Sequence, residues 1–175
     1  MGRLVQILEP ETQSRVACFL ADCRAHGIDL LVTCTDRTFQ EQAFLYGIGR
    51  YRPGNPCHCG GIVRPIHTCT KHPMGLRITN ARPGESWHNW RRAIDVVPLR
   101  HGKPVWGTTG NGIDEDPSDD LTDDLELWQR VGTLGKANGL EWAGDWPSFR
   151  EYPHFQHTGG LSLAALIAAH PGGLA

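Results

Sequence analysis

The feature that most restricts the fold of this chain is a carboxylate set inside an apolar segment. Asp95 lies in the run AIDVVP, residues 93–98, with apolar residues on both sides. This composition predicts a β-strand from about Ala93 to Val97. An unpartnered carboxylate buried in such a strand would cost on the order of several kcal/mol. The fold must therefore bring a cation or hydrogen-bond donors to Asp95, and Arg91 and Arg92 are the nearest alternatives in sequence.

Helical and extended segments alternate along the rest of the chain. Apolar residues at intervals of three and four predict a first helix from Glu11 to His26, which ends at Gly27. The run IDLLVTCT, residues 28–35, predicts a strand, and helical spacing resumes within residues 36–50. Two further helices are predicted near the end of the chain, at Leu121–Asn138 and Ser162–Ala169.

The order of these segments predicts an α+β fold with a small antiparallel sheet, because strands and helices do not follow a regular βαβ rhythm. The length of 175 residues is typical of one domain, and we expect a single domain over residues 1–175. Residues 51–77 are rich in proline and glycine, which predicts an ordered insertion loop. The acidic residues 110–124 predict a solvated loop that leads into the third helix.

Charge and hydropathy exclude two classes of function. The net charge of −2 gives no excess of cations for nucleic-acid binding. We find no apolar run of the length that a secretory signal or a membrane span requires, and expect a soluble product made in the cytoplasm. The six cysteines are therefore predicted to stay reduced, with Cys18, Cys23 and Cys34 as core residues.

The insertion loop carries a second cysteine pattern with the composition of a metal site. Cys57, Cys59, Cys69 and His72 form the pattern C-x-C-x9-C-x2-H. Thiolate-rich sets favour closed structural zinc sites, and a metal would order a loop that has little core of its own. The alternatives are a loop with free thiols and a disulfide formed in the periplasm.

Two histidines and a glutamate supply the other groups of a catalytic metal centre. His88 lies seven residues before Asp95, and His154 lies near the far end of the chain. Two imidazoles and one carboxylate suit tetrahedral zinc with a fourth position open. Glu151, three residues before His154, is placed to activate the attacking water without being a ligand. The alternatives are histidines satisfied in the core or at the surface, and a surface charge at Glu151 beside Arg150.

Two segments carry a resemblance to a known family. The segment SWHNWRRAIDVVP resembles the Ser-x-His-x-x-Gly-x-Ala-x-Asp motif of the D-Ala-D-Ala and L-Ala-D-Glu metallopeptidases, a group that includes phage endolysins and vancomycin-resistance dipeptidases. EYPHFQ resembles the second family motif, in which an acidic residue precedes the last zinc-binding histidine by three positions. DRTFQEQAFLYGIGR and PHFQHTGGLSLAAL are similar to endolysin flanking segments, so the resemblance spans roughly residues 10–170 outside the insertion.

The resemblance implies a hedgehog/D-Ala-D-Ala-peptidase-like fold and a role for each matching residue. It implies zinc ligation by His88, Asp95 and His154, with Glu151 as the catalytic base. Arg37 matches an arginine that stabilises the oxyanion of the intermediate, and Ser86 matches a serine near the substrate, with a turn residue as its alternative. Two positions depart from the family pattern: Arg91 replaces the usual glycine, and Glu151 stands where many phage enzymes have aspartate.

The function implied by the resemblance is that of a single-domain phage-type endolysin. Such an enzyme would hydrolyse the L-Ala-D-Glu bond of peptidoglycan stem peptides as a monomer, without a separate wall-binding domain. It would be made in the host cytoplasm and reach the periplasm after membrane permeabilisation by another protein. The alternatives are a D-Ala-D-Ala carboxypeptidase or dipeptidase, and a non-catalytic zinc-stabilised binding module. A Cys34 nucleophile is disfavoured because no histidine lies close to it in sequence.

Overall fold

The computed structural model describes residues 2–48, 56–57, 64–65, 78–108 and 123–174. The chain forms two compact units, unit 1 with Met1–Asp36 and Arg91–Gly160, and unit 2 with Arg37–Trp90 and Leu161–Ala175. The strands are β1 Asp29–Cys34, β2 Pro56–Cys57, β3 Arg64–Pro65, β4 Ala93–Arg100, β5 Lys103–Pro104, β6 Glu141–Trp142 and β7 His154–Gln156. The helices are α1 Pro10–Ala25, α2 Phe39–Gly47, α3 Asp123–Ala137 and α4 Leu163–Ala169.

Unit 1 is built on an antiparallel sheet of five strands in the order β1-β4-β7-β6, with β5 paired to β4. The predicted α+β class with a small antiparallel sheet is therefore confirmed. The strand predicted at Ala93–Val97 extends to Arg100. The short strands β6 and β7 were not predicted, because two or three residues are too few to show an alternating pattern.

One face of this sheet packs against α1 and α3. Phe19 of α1, Trp128 of α3, and Ile94 and Phe155 of the sheet are fully buried in one core cluster. A Cβ atom at Gly135 of α3 would clash with the Phe155 ring, so this glycine permits the close approach of helix and sheet. Asp95 of β4 and His154 and Gln156 of β7 lie on the strand positions that alternate with these core residues.

Two residues of unit 1 differ from their predicted environments. Cys18 is exposed, whereas Cys23 and Cys34 are buried as predicted. Cys18 lies two residues after the buried Val16, a rotation of roughly 200° around a helix of 3.6 residues per turn, and so faces away from the core. Asp124, predicted in a solvated segment, is 5% exposed and pairs with Arg100 of β4 at 2.9 Å, because α3 begins against this strand.

Unit 2 contains α2, α4, the β2–β3 pair and a 3-10 turn at Trp87–Trp90. Helix α2 begins at Phe39 because Thr38 and Glu41 form a reciprocal capping box. Gly84 lies in a turn with φ of 86°, and its carbonyl accepts a hydrogen bond from Trp90 Nε1 at 2.8 Å. Within the described residues, no helix has both the length and the apolar character needed to cross a bilayer.

Arg91, which precedes β4, adopts the left-handed backbone conformation with φ of 56°. Its carbonyl accepts a hydrogen bond from Glu9 N at 2.9 Å, which holds the chain in this position. Glycine adopts this conformation without steric cost, whereas an L side chain costs about 1–2 kcal/mol. The family motif that this segment resembles has glycine at this position, and a glycine would adopt this conformation without strain.

We therefore expect the backbone at position 91 to favour glycine over alanine. The variant Arg91→Gly should be about 1 kcal/mol more stable than Arg91→Ala, because both lose the side chain and the glycine variant loses the strain. Urea unfolding of the two variants measures this difference. Arg92 does not have positive φ, so Arg92→Ala should be the more stable of its own pair. The same order at both positions would contradict the assignment of strain to Arg91.

Candidate metal centre

Asp95 and His154 lie directly opposite each other on β4 and β7. Opposed residues of an antiparallel pair project to the same face of the sheet, and here Asp95 Oδ1 lies 3.0 Å from His154 Nδ1. Arg92, one alternative partner of Asp95, instead contacts Glu9 at 3.6 Å. Two groups that the sequence assigned to one centre thus converge in unit 1.

His154 is buried, with 7% of its surface exposed, and its second nitrogen is also engaged. Its Nε2 lies 3.1 Å from Oε1 of Gln156, and the amide nitrogen of Gln156 donates to Glu141 at 2.9 Å. The ring of Trp146 lies beside the imidazole, with centroids 5.8 Å apart. The ring of His154 is therefore held in one orientation by contacts on several sides.

The electrostatic environment of His154 favours a positive charge. Burial lowers the pKa of His154, but the hydrogen bond and charge of Asp95 and the charge of Glu151 outweigh this effect and raise the pKa above its ordinary value. Two carboxylates near one imidazole create a negative local potential. Such a potential also attracts a metal cation.

Glu151 lies in a segment whose main chain is held by several hydrogen bonds. Glu151 N donates to Ala143 O at 3.3 Å, and His154 N donates to Glu151 O at 3.1 Å. The intervening carbonyls are also bound, that of Tyr152 by Trp142 Nε1 at 2.8 Å and that of Pro153 by Val96 N at 3.0 Å. Glu151 is half-buried, and its charge contributes to the raised pKa of His154. The proposed base therefore stands on a rigid support near the Asp95–His154 pair.

His88, Arg37 and Ser86 belong to unit 2. His88 is 2% exposed within the 3-10 turn, and its carbonyl accepts a hydrogen bond from Arg37 N at 3.1 Å. Asn89 Nδ2 donates to Arg37 O at 2.8 Å, which ties the two segments together again. The Arg37 guanidinium donates to Gln42 Oε1 at 2.8 Å. Ser86 is half-buried, and its carbonyl accepts from Asn89 N at 2.9 Å within the same turn.

The predicted site residues thus form two local groups. Unit 1 brings together Asp95, His154 and Glu151, and unit 2 brings together His88 and Arg37. The roles of these residues and of Ser86 stay predictions. Of the predicted second zinc site, Cys59, Cys69 and His72 lie outside the described residues, and Cys57 is described as part of β2 without its side chain. That site also stays a prediction.

Three neighbours of the pair were missed as parts of the site. Cys34 pairs with Asp95 across β1 and β4, and its sulfur lies within 4.8 Å of an Asp95 carboxylate oxygen. Gln156 and Glu141 extend the polar contacts of His154. The sequence offered one signal for Gln156: it lies two residues after His154, and residues two apart on a strand project to the same face. Cys34 and Glu141 depend on strand pairing, which local sequence does not give.

The groups of unit 1 fit zinc in chemistry and in spacing. Zinc binds imidazole nitrogen and carboxylate oxygen at about 2.0–2.2 Å. Two ligand atoms of a tetrahedral site are then about 3.4 Å apart, and the 3.0 Å between Asp95 Oδ1 and His154 Nδ1 is close to this edge. A hydrogen-bonded second nitrogen is also the usual environment of a metal-bound histidine.

Comparisons with known proteins agree with these features. Two family models, both described as D-alanyl-D-alanine carboxypeptidase, match residues 79–157 and residues 5–115. The peptidoglycan L-alanyl-D-glutamate endopeptidase CwlK of Bacillus subtilis is 31% identical over 150 residues, which cover 85% of this chain and 72% of that protein.

A solved structure shows the same fold. The L-Ala D-Glu endopeptidase ChiX of Serratia marcescens matches with a TM-score of 0.52 and 15% identity, over 88% of this chain and 83% of that chain. The family model over residues 5–115 and the similarity to the Bacillus enzyme therefore show that the chain belongs to the D-alanyl-D-alanine carboxypeptidase family, the VanY-like zinc peptidases.

Proposed function

We propose that this protein is a zinc peptidase that degrades peptidoglycan by cutting the L-Ala-D-Glu bond of the stem peptide. The observation that carries this proposal is the Asp95–His154 pair, 3.0 Å apart on adjacent strands, with Glu151 fixed three residues before His154. Family membership supports the peptidase activity and its peptidoglycan substrate. An acidic residue beside a metal site with one open coordination position also favours catalysis over a purely binding role.

Asp95, His154 and His88 are the proposed zinc ligands. The contact between Asp95 and His154 supports the first two, and the sequence motif supports His88. Three protein ligands would leave a fourth position open for chemistry. When bound, zinc supplies Lewis-acid polarisation of the scissile carbonyl.

Glu151 is the proposed general base. Its carboxylate would accept a proton from the attacking water as the new C–O bond forms. The same group would then deliver that proton to the amine nitrogen as the peptide C–N bond breaks. Arg37 is proposed to stabilise the negative oxygen of the intermediate, since a fixed guanidinium offers donors where charge develops. Ser86 is proposed to contact the substrate near this centre.

The choice of bond follows the Bacillus relative, whose name specifies L-alanyl-D-glutamate cleavage. The endolysin-like segments on both sides of the motifs favour the same bond. A D-Ala-D-Ala carboxypeptidase is the second candidate, because both matching family models carry that description. Both activities would use the same metal centre. They differ in the bond that is cut: the endopeptidase would release a peptide that begins with D-Glu, and the carboxypeptidase would release the terminal D-Ala.

A phage-endolysin role is the proposed biological setting, and it rests on those flanking segments. The enzyme would be made in the host cytoplasm, as a monomer, and would act in the periplasm after another protein permeabilises the membrane. Addition of purified protein to Gram-negative cells with a permeabilised outer membrane tests this setting. Lysis of these cells by the wild type would support the proposed setting. It would be contradicted if the enzyme hydrolysed isolated sacculi but left the permeabilised cells intact.

Loss of either ligand of the pair should abolish tight zinc binding. Asp95→Asn and His154→Ala should weaken zinc affinity by more than the roughly 10–100-fold that loss of an outer-shell partner costs. Competition with a chromophoric chelator measures the affinity. Asp29→Asn is the matched control, since Asp29 is an exposed aspartate on β1.

Total metal content tests the same assignment. About one zinc per chain indicates the catalytic site, and about two indicate that the cysteine insertion is loaded as well. Full zinc content in both Asp95→Asn and His154→Ala, with affinity unchanged, would contradict the proposed ligands.

Removal of the base should stop hydrolysis and spare the metal. Glu151→Gln should lower the rate of muropeptide hydrolysis by about 10²–10⁴-fold, because general base catalysis typically contributes that much. Zinc content should stay at the wild-type level. Glu126→Gln, which changes an exposed glutamate on α3, should keep full activity. An active Glu151→Gln enzyme would refute the assigned base.

The products of digestion identify the bond. Mass spectrometry of digested muropeptides should show L-Ala retained on muramic acid and a released peptide that begins with D-Glu. The Glu151→Gln variant serves as the blank. Loss of a terminal D-Ala, with the L-Ala-D-Glu bond intact, would instead establish the carboxypeptidase.

A further inference from the structure

A row of polar side chains continues from His154 along the same face of the sheet. Gln156 lies two residues further along β7, and Glu141 lies opposite Gln156 on β6. His154 Nε2 and Gln156 Oε1 are 3.1 Å apart, and Gln156 Nε2 donates to Glu141 Oε2 at 2.9 Å. The Asp95–His154 pair is thus connected through Gln156 to the carboxylate of Glu141 on the neighbouring strand β6.

The chemistry of Glu141 fixes the orientation of the Gln156 amide. A carboxylate offers acceptors and no donor, so the amide NH₂ must face it. Turning the amide by 180° would set the amide oxygen against a carboxylate oxygen at the 2.9 Å separation seen here. Thr158 Oγ1 donates to the other oxygen of Glu141 at 2.7 Å and holds the carboxylate in place. The Gln156 oxygen is therefore directed at His154.

This orientation selects the protonation form of the imidazole. An amide oxygen accepts hydrogen bonds, so the His154 nitrogen that faces it, Nε2, carries the proton. A metal-binding imidazole is neutral, with one N–H and one lone pair, so its lone pair is then on Nδ1, the nitrogen that faces Asp95 Oδ1 at 3.0 Å. Without a metal, a second proton on Nδ1 makes this contact. Gln156 and His154 are 6% and 7% exposed, so bulk water has little access to compete for these bonds.

We propose that Gln156, oriented by Glu141, is a positioning residue of the metal centre that keeps the His154 proton on Nε2 and so makes Nδ1 the ligating nitrogen. The inference rests on the proposed function and adds the groups that prepare one ligand. Outer-shell hydrogen bonds of this kind fix the tautomer and ring orientation of metal-bound histidines.

Two substitutions of Gln156 separate this role from a structural one. Gln156→Leu removes the acceptor for Nε2–H and should weaken zinc affinity by about 10–100-fold. Gln156→Glu keeps an oxygen acceptor for Nε2–H but sets two carboxylates against each other at Glu141. Zinc affinity in Gln156→Glu should therefore stay within a few-fold of the wild type, even though the zinc-free variant unfolds at a lower temperature.

A third variant and a control complete the set. Glu141→Ala allows the Gln156 amide to turn and should weaken zinc affinity by less than Gln156→Leu does. Glu126→Gln, at an exposed position on α3, should leave zinc affinity unchanged. Thermal unfolding of each zinc-free variant reports the structural effect separately from the affinity measured by chelator competition.

Nitrogen-15 NMR of the zinc-loaded wild type gives a readout that needs no substitution. The two-bond couplings of the His154 ring should show the proton on Nε2 and the metal on Nδ1. A proton on Nδ1 would overturn the inference, as would equal losses of zinc affinity in Gln156→Leu and Gln156→Glu. If either result came with zinc binding and peptide hydrolysis intact, the inference would fail while the proposed function held. Absence of both zinc binding and hydrolysis in the wild type would overturn the two together.

Discussion

The pairing of β4 with β7 is the constraint on which the candidate site depends. The register sets Asp95 opposite His154 and Ala93 opposite Gln156, and the next pair sets Gln156 opposite Glu141. Side chains alternate between the two faces of a strand, so a slip of one residue would move His154 to the core face. The burial of Ile94 and Phe155 on that face makes such a slip costly. Hydrophobic packing thus fixes the positions of the polar groups.

The segment that leads into β7 is held in place by its neighbours. Hydrogen bonds to the main chain of residues 151–153 give the segment before β7 a fixed path, and the Tyr152 ring of this segment packs against the Trp142 ring, with centroids 5.8 Å apart. A rigid support of this kind keeps a catalytic group in place without a movement during the reaction. The left-handed Arg91 shows that strain is also tolerated at the start of β4.

The sequence predicted the long elements, and two of its candidate site residues, Asp95 and His154, are in contact in the structure, while the roles of all the site residues stay predictions. The regular spacing in α1 and the apolar run around Asp95 carried enough residues to be recognised, and the family motifs selected Asp95 and His154 from other acidic and histidine residues. The contacts that the sequence did not predict are set by how separate strands and helices pair in the fold. Cys34 beside Asp95, Glu141 behind Gln156 and the ion pair of Asp124 with Arg100 each join strands or helices far apart in sequence. Local patterns do not encode these partners.

The most direct test of the central claim is the position of the metal itself. Crystals grown with zinc, measured on both sides of the zinc absorption edge, should show an anomalous peak at about 2.0–2.2 Å from an Asp95 oxygen and from His154 Nδ1. His88 should complete the set of protein ligands. A crystal that holds zinc elsewhere, with Asp95 and His154 in contact but without a metal between them, would contradict the account.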